Sequence, residues 1–291
     1  MKKSELVLTL GQRLFLLLCM FLVCYLLTAA AAYVLGRLLA DNPAGAVRIS
    51  AVLQDVVTFI IPAVVTALFV TRRPAELLCL SRKPSVATLL LIAVVLAVSV
   101  PAQEAVIYSN YHISLPESMA AFEAIARQLE TSAFETLRHL LANTSTGALI
   151  VNILIIGVFA GLSEELLFRG CFQRLLTTGG VNPHVAIWIV AFCFSALHFQ
   201  LFGFVPRMLL GAYFGYLLLW TRSLWAPVAA HVLNNVMFVV TAWHQARTEG
   251  IESVSGEPSL WPAWATVASA ALTAAAIYLL WKGRVGRDLE K

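Results

Sequence analysis

Two adjacent carboxylates, Glu164 and Glu165, and one guanidinium, Arg169, interrupt a run from Gly147 to Gly170 that carries no other charge. A charged side chain at the centre of a membrane helix costs roughly 2.5–3.5 kcal/mol, so such groups pair with one another or line a water-filled cavity. Glu165 and Arg169 stand at i and i+4, share a face and can pair. Glu164 is rotated about 100° away and must find its partner on another helix. Of the six histidines, His112, His139 and His244 fall in polar connections and His184 lies beside the turn Asn182-Pro183. Only His198 and His231 lie inside apolar runs, and Asn235 follows His231 at i+4. A carboxylate beside an imidazole can take a proton from water as a general base. A histidine and an asparagine can donate hydrogen bonds to a developing oxyanion. Glu164, His198, His231 and Asn235 together suit peptide-bond hydrolysis without a covalent intermediate.

The same residue types leave a second chemistry open. Glu164, His198 and His231 could hold a catalytic Zn²⁺ with one open position. There is no His-Glu-x-x-His motif. Ser163 and Ser195 lie beside the key groups, but no Gly-x-Ser-x-Gly elbow surrounds either, and both read as helix-packing residues.

These side chains need elements to hold them level. The chain has 291 residues, 60% hydrophobic and 12% charged. A soluble domain carries about 25% charged residues, so half of that describes a polytopic membrane protein. The runs are continuous rather than alternating, which predicts an all-α bundle rather than a barrel. About eight spans are expected, near 14–40, 50–71, 86–107, 147–176, 184–199, 205–220, 223–243 and 261–282. The first run is too long for a signal peptide. Asn182-Pro183 is a helix-start signal, so the chain turns back near Val181. Glu164 stands as far before Val181 as His198 stands after it, which sets the two side chains level in an antiparallel pair.

The division expected is 1–146, with about three spans and an outer amphipathic segment; 147–243, a catalytic core of about four helices; and 244–291, an outer loop, a last span and a basic tail. All belong to one domain. Within 108–146, Phe122, Ile125, Leu129, Phe134, Leu137, Leu140 and Leu141 recur at helical spacing, predicting an amphipathic helix at the outer interface or over the bundle. The segment 244–260, with Ser255, reads as a polar outer loop. Gly157/Gly161 and Gly211/Gly215 are small-xxx-small pairs that let helices approach, and are expected to pack without chemistry.

Lys2, Lys3, Arg13, Arg72, Arg73, Arg82, Lys83, Arg174, Arg222, Lys282, Arg284, Arg287 and Lys291 fall on one side if both termini are cytoplasmic. That positive-inside bias predicts an integral plasma (inner) membrane protein, with a site inside the bundle opening to the cytoplasm. The net charge of +4 is an orientation signal and no footprint for nucleic acid. The five cysteines lack zinc-ligand spacing and imply no disulfide framework.

With the residues in place, the sequence resembles the CAAX-protease and bacteriocin-processing (Abi) family of intramembrane proteases. The family's Glu-Glu-x-x-x-Arg is seen as EELLFR, Glu164 to Arg169; its Phe-x-x-x-His as FSALH, Phe194 to His198; its His-x-x-x-Asn as HVLNN, His231 to Asn235. The resemblance covers roughly 147–243. It implies a membrane-embedded endopeptidase in which Glu164 activates water with His198, and His231 and Asn235 stabilise the oxyanion. Arg169 would hold Glu165 as structural support, and Phe194 would pack beside the site. The resemblance leaves open whether a metal takes part. It implies a membrane-associated substrate in the bilayer, either a CaaX-type tail or a peptide such as a bacteriocin precursor. Two other classes compete: a non-catalytic immunity or scaffold protein, and an ion- or proton-coupled transporter, for which the expected repeats and broken helices are not seen in the sequence.

Overall fold

The computed structural model describes residues 8–254, 258 and 260–288, with side chains to residue 283. Lys2, Lys3, Ser255 and Lys291, and the side chains of Arg284 and Arg287, lie outside this description. Helices make up the described chain, and no strand occurs among the described residues. They are α1 (Leu10–Leu38), α2 (Pro43–Val70), α3 (Val86–Val98), α4 (Val100–Tyr111), α5 (Ala120–Leu141), α6 (Thr146–Thr178), α7 (Pro183–Ala196), α8 (Phe204–Thr221), α9 (Trp225–Glu249) and α10 (Ala263–Asp288).

Local chemistry sets the helix starts. Thr9 and Gln12 form a reciprocal capping box before α1. Asn42 and Ser145 cap α2 and α6 through side-chain oxygens. Asn182 accepts from the His184 N–H at 2.9 Å, with Pro183 in the first turn of α7. Pro101 near the start of α4 cannot continue the α3 ladder, and the two helices meet at 50°.

Helices α1, α2, α6, α9 and α10 are long and apolar enough to cross a membrane, and the bent pair α3–α4 makes a sixth span if counted as one. The protein is therefore multi-pass. The expected number of about eight corresponds to eight helical stretches, but α7 has only 14 residues. At 1.5 Å per residue that is about 21 Å, short of a hydrocarbon core of about 30 Å. Helices α7 and α8 instead form a tight hairpin that starts at the Thr178 end of α6 and turns back inside the bundle.

Helix α5 lies over that turn. The Glu130 carboxylate accepts from the Phe202 N–H at 2.9 Å, and Arg127 stacks on the Phe202 ring at 4.1 Å. Of the amphipathic stripe, Leu140 and Leu141 are buried, while Phe122, Ile125 and Leu129 are exposed. The polar loop expected over 244–260 begins later than the sequence suggests, because α9 runs on to Glu249.

Candidate active site

Helix α6 carries the two glutamates at its centre, and α9 brings His231 to them. The approach depends on the first glycine pair. A Cβ at Gly161 would stand 3.1 Å from the Val232 backbone nitrogen, and one at Gly157 would stand 2.8 Å from a Val236 methyl. His231 precedes Val232 and so meets both carboxylates. Its Nδ1 lies 2.9 Å from Glu165 Oε1, and its Nε2 lies 3.8 Å from Glu164 Oε2. A neutral ring that donates from Nδ1 to Glu165 turns the Nε2 lone pair toward Glu164.

Glu165 is held from the other side. Arg169 Nη1 donates to Glu165 Oε1 at 2.5 Å, and Arg169 Nη2 donates to the Gly211 carbonyl at 2.9 Å. Both side chains are fully buried. The guanidinium sits against the rings of Phe194 at 4.6 Å and Phe214 at 5.5 Å. A planar cation suits this place, since it can donate in a fork and stack on aromatic faces together. Glu165 Oε2 and Arg169 Nε have no hydrogen-bond partner. Glu164, by contrast, keeps 16% of its side chain accessible.

Accessibility has a direction. From Glu164 toward Thr178, residues 165–171 are all buried against α2 and neighbouring helices. Toward the Thr146 end, Glu164 and Asn235 are partly accessible and His198 is exposed. The polar cluster therefore opens toward the end of α6 that carries Thr146.

The remaining candidates are arranged differently from the sequence expectation. His198 lies in the turn beyond the end of α7. Its Nδ1 is 2.8 Å from the Phe194 carbonyl, and its ring meets Phe194 edge-on at 5.1 Å. The imidazole that reaches Glu164 within 4 Å is that of His231, and His198 makes no ion pair with it among the described residues. Phe194 touches His198, His231 and Arg169, and so separates the exposed histidine from the buried ion pair. Asn235 donates from Nδ2 to the Ile156 carbonyl at 3.1 Å, and its Oδ1 accepts from Asn234 at 3.4 Å. Ile156 lies in a π-helical stretch, Ile153–Phe159, whose widened turn offers that carbonyl.

Several participants escaped the sequence reading. Asp55, 4% exposed in the π-helical stretch Gln54–Ile60 of α2, accepts from Ser163 Oγ at 2.8 Å. Ser163 is thus a hydrogen-bond donor beside Glu164, not only a packing residue. The signal was present: Asp55 is a lone acid in an apolar run, the same kind of anomaly as Glu164. The second glycine pair also does more than pack. Gly211 exposes its carbonyl to Arg169, and Gly215 exposes its own to Gln173 Nε2 at 3.1 Å. Another π-helical stretch, Leu166–Gln173, carries Arg169 and Gln173 to these carbonyls.

The three-ligand zinc site does not fit this arrangement. Among the described residues, no three His, Cys, Asp or Glu side chains are grouped to hold a metal ion. The misfit lies in this grouping and not in the rings, since His231 and His198 engage Glu165 and the Phe194 carbonyl through Nδ1 alone.

Residues 146–237 match the family described as type II CAAX prenyl endopeptidase, Rce1-like. The uncharacterized protein YpbD of Bacillus subtilis (strain 168) is 27% identical over 93 residues, 31% of this chain. The chain thus spans 44% of the length of that curated relative. No solved structure matches it significantly. The matched stretch contains the two glutamates with Arg169, the Phe194–His198 pair and the His231–Asn235 pair, and with these motifs residues 146–237 are of the CAAX-protease and bacteriocin-processing type.

Proposed function

We propose that the protein is an intramembrane endopeptidase in which Glu164 activates water for attack on a peptide carbonyl. The observation that carries this reading is the division of labour between the two glutamates. Glu165 is sealed, bound by Arg169 and His231, while Glu164 stays accessible beside the free nitrogen of the same imidazole. A buried carboxylate held at one oxygen by a guanidinium and an imidazole orients; an accessible one can accept a proton.

In the step proposed, Glu164 removes a proton from water as the water oxygen bonds to the scissile carbonyl carbon. His231, aligned by Glu165, holds that water. His198, on the open side of Phe194, spends its Nδ1–H on the Phe194 carbonyl and donates from Nε2 to the carbonyl oxygen as the imidazolium, as negative charge develops there. Glu164 then returns the proton to the departing nitrogen as the C–N bond breaks, leaving a carboxylate and an amine. Asn235 acts at one remove in this reading, by fixing α9 to the Ile156 carbonyl.

The family likeness supports the reaction and a membrane-associated peptide substrate. The mouth supports a face. It opens toward Thr146, and the basic residues Arg72, Arg73, Arg82, Lys83 and Arg222 gather at the opposite end. With that end cytoplasmic, the peptide reaches the site from the outer half of the plasma membrane, so a membrane peptide suits it better than a cytoplasmic CaaX tail.

The test is cleavage of membrane-tethered peptides, prenylated and plain, by purified protein, with and without a chelator, beside Glu164→Gln. Cleavage that survives the chelator and is abolished by the substitution is expected. Cleavage by the substituted protein would overturn the role of Glu164, and loss to the chelator with return on adding zinc would overturn the metal-free step. Labelling of Glu117→Cys from outside and Lys83→Cys from inside is expected; the reverse would turn the mouth to the cytoplasm.

A further inference from the structure

Asp55, buried on α2, is an acid that the proposed step does not use. Its hydrogen-bond partner among the described residues is Ser163 Oγ at 2.8 Å, and both side chains are shut in, Asp55 at 4% and Ser163 at 0% exposure. A carboxyl group at membrane depth is costly and marks function by default. Apolar packing between α2 and α6 is made separately, four residues on from Asp55, where the rings of Phe59 and Phe168 lie 6.3 Å apart. Contact between the two helices therefore does not explain the acid.

The stretch it grips does. Glu164 lies in a six-residue α-helical stretch, Ala160–Glu165, between two π-helical stretches, Ile153–Phe159 and Leu166–Gln173. A π turn shifts the side-chain register, so no continuous α-helical ladder fixes the rotation of the short stretch between them. Side chains fix it instead. Gly161 packs on the Val232 backbone, Glu165 is held by Arg169 and His231, and Ser163 is held by Asp55. Glu164 itself accepts no hydrogen bond among the described residues, and His231 Nε2 stands off at 3.8 Å. Its direction is inherited from its neighbours in the turn. Glu165 anchors that turn toward α8 and α9, and Asp55 anchors it toward α2. Without Asp55, the Ser163 hydroxyl falls back on the Ala160 carbonyl, 3.0 Å away in its own helix. The donor stays satisfied and the tie to α2 is lost.

We propose that Asp55 is a positioning residue for Glu164: acting through Ser163, it fixes the rotation of α6 that turns the Glu164 carboxylate to the open side of the site, beside His231. It touches no reacting atom. Its part in catalysis rests on the endopeptidase reading above; its hold on the direction of residue 164 does not.

Two measurements on the full chain in nanodiscs decide it. In the first, cleavage of a membrane-tethered peptide is followed per folded molecule. Asp55→Ala should lower kcat at least tenfold, with KM within twofold of wild type. Asp55→Asn, which keeps an acceptor for Ser163, should recover most of kcat. Ser163→Ala should match Asp55→Ala, and the two together should lose no more than either alone. Asp55→Leu, which fills the space without an acceptor, replaces the alanine variant if that does not fold. Wild-type kcat in the folded fraction of Asp55→Ala would make the pair a structural tie and overturn the proposal. An asparagine variant as slow as the alanine one, or losses that multiply in the double variant, would overturn it too, since Asp55 would then not act through Ser163.

In the second, Glu164→Cys protein is labelled with a membrane-impermeant thiol reagent, and the rate of reaction at position 164 is read by mass spectrometry. Adding Asp55→Ala should slow labelling at least fivefold, and adding Asp55→Asn should not. An equal rate in all three proteins would overturn the proposal and leave the endopeptidase reading untouched. Absence of cleavage in the first measurement with Asp55-dependent labelling in the second would refute the endopeptidase and leave the positioning standing.

Discussion

Ser163 Oγ donates to Asp55 Oδ1 across 2.8 Å, tying the residue beside Glu164 to a buried carboxylate on α2. Ser163 can also reach the Ala160 carbonyl at 3.0 Å, so the hydroxyl has a choice of two acceptors. Removing the donor leaves a buried acid bare. Ser163→Ala is expected to cost about 1–3 kcal/mol, the range for a buried polar group left without its partner. Asp55→Asn keeps an acceptor at the same place and should cost less. Thermal unfolding in detergent reads both, and an unchanged midpoint for Ser163→Ala would show that the bond is dispensable.

Arg169 is the only cation in contact with Glu165 among the described residues, and both are sealed from solvent. Arg169→Ala should destabilise the protein by about 3–5 kcal/mol, because the partner charge stays behind. Arg169→Lys should fail to restore it, since an ammonium cannot bridge Glu165 and the Gly211 carbonyl while stacked on Phe194. Yield of folded protein in membranes and the unfolding midpoint measure this. Full recovery with lysine would mean that charge alone is required.

The two glycines facing α9 should differ in tolerance. A methyl at Gly161 meets backbone atoms of Val232, while one at Gly157 meets mainly a side-chain methyl of Val236. Backbone cannot rotate away. Gly161→Ala should cost about 1–3 kcal/mol by overpacking and lower activity at least tenfold by displacing His231 from both glutamates. Gly157→Ala should be milder on both counts. Kinetics and melting of the two variants side by side test the order.

The two glutamates should separate by phenotype. Glu164→Gln should lose about 10²–10⁴ in rate, the share of a general base, with a wild-type melting curve. Glu165→Gln should lose activity and stability together, because it releases both Arg169 and His231. If Glu164→Gln also melts early, the accessible carboxylate is a structural group.

Composition and hydropathy were enough to declare a multi-pass helical protein, and cap residues such as Asn182 with Pro183 marked where helices begin. The Glu165–Arg169 pair was legible because i and i+4 is a property of one helix. What the chain could not declare was which helices meet and where they stop. Spacing from Val181 set His198 level with Glu164, but spacing along the chain did not say that His231 on α9 would meet both glutamates. Gln173 is unremarkable in its own segment, Asp55 stands out in its run, and both find their partners far along the chain. The π-helical stretches that turn these groups shift the side-chain register of α2 and α6 in a way that a 3.6-residue period does not encode. One-dimensional order thus determined the membrane architecture and the residue types available for chemistry. Packing between helices decided which carboxylate is sealed, which is accessible, and which end of the bundle the site faces, because burial depends on neighbours that sequence distance does not measure.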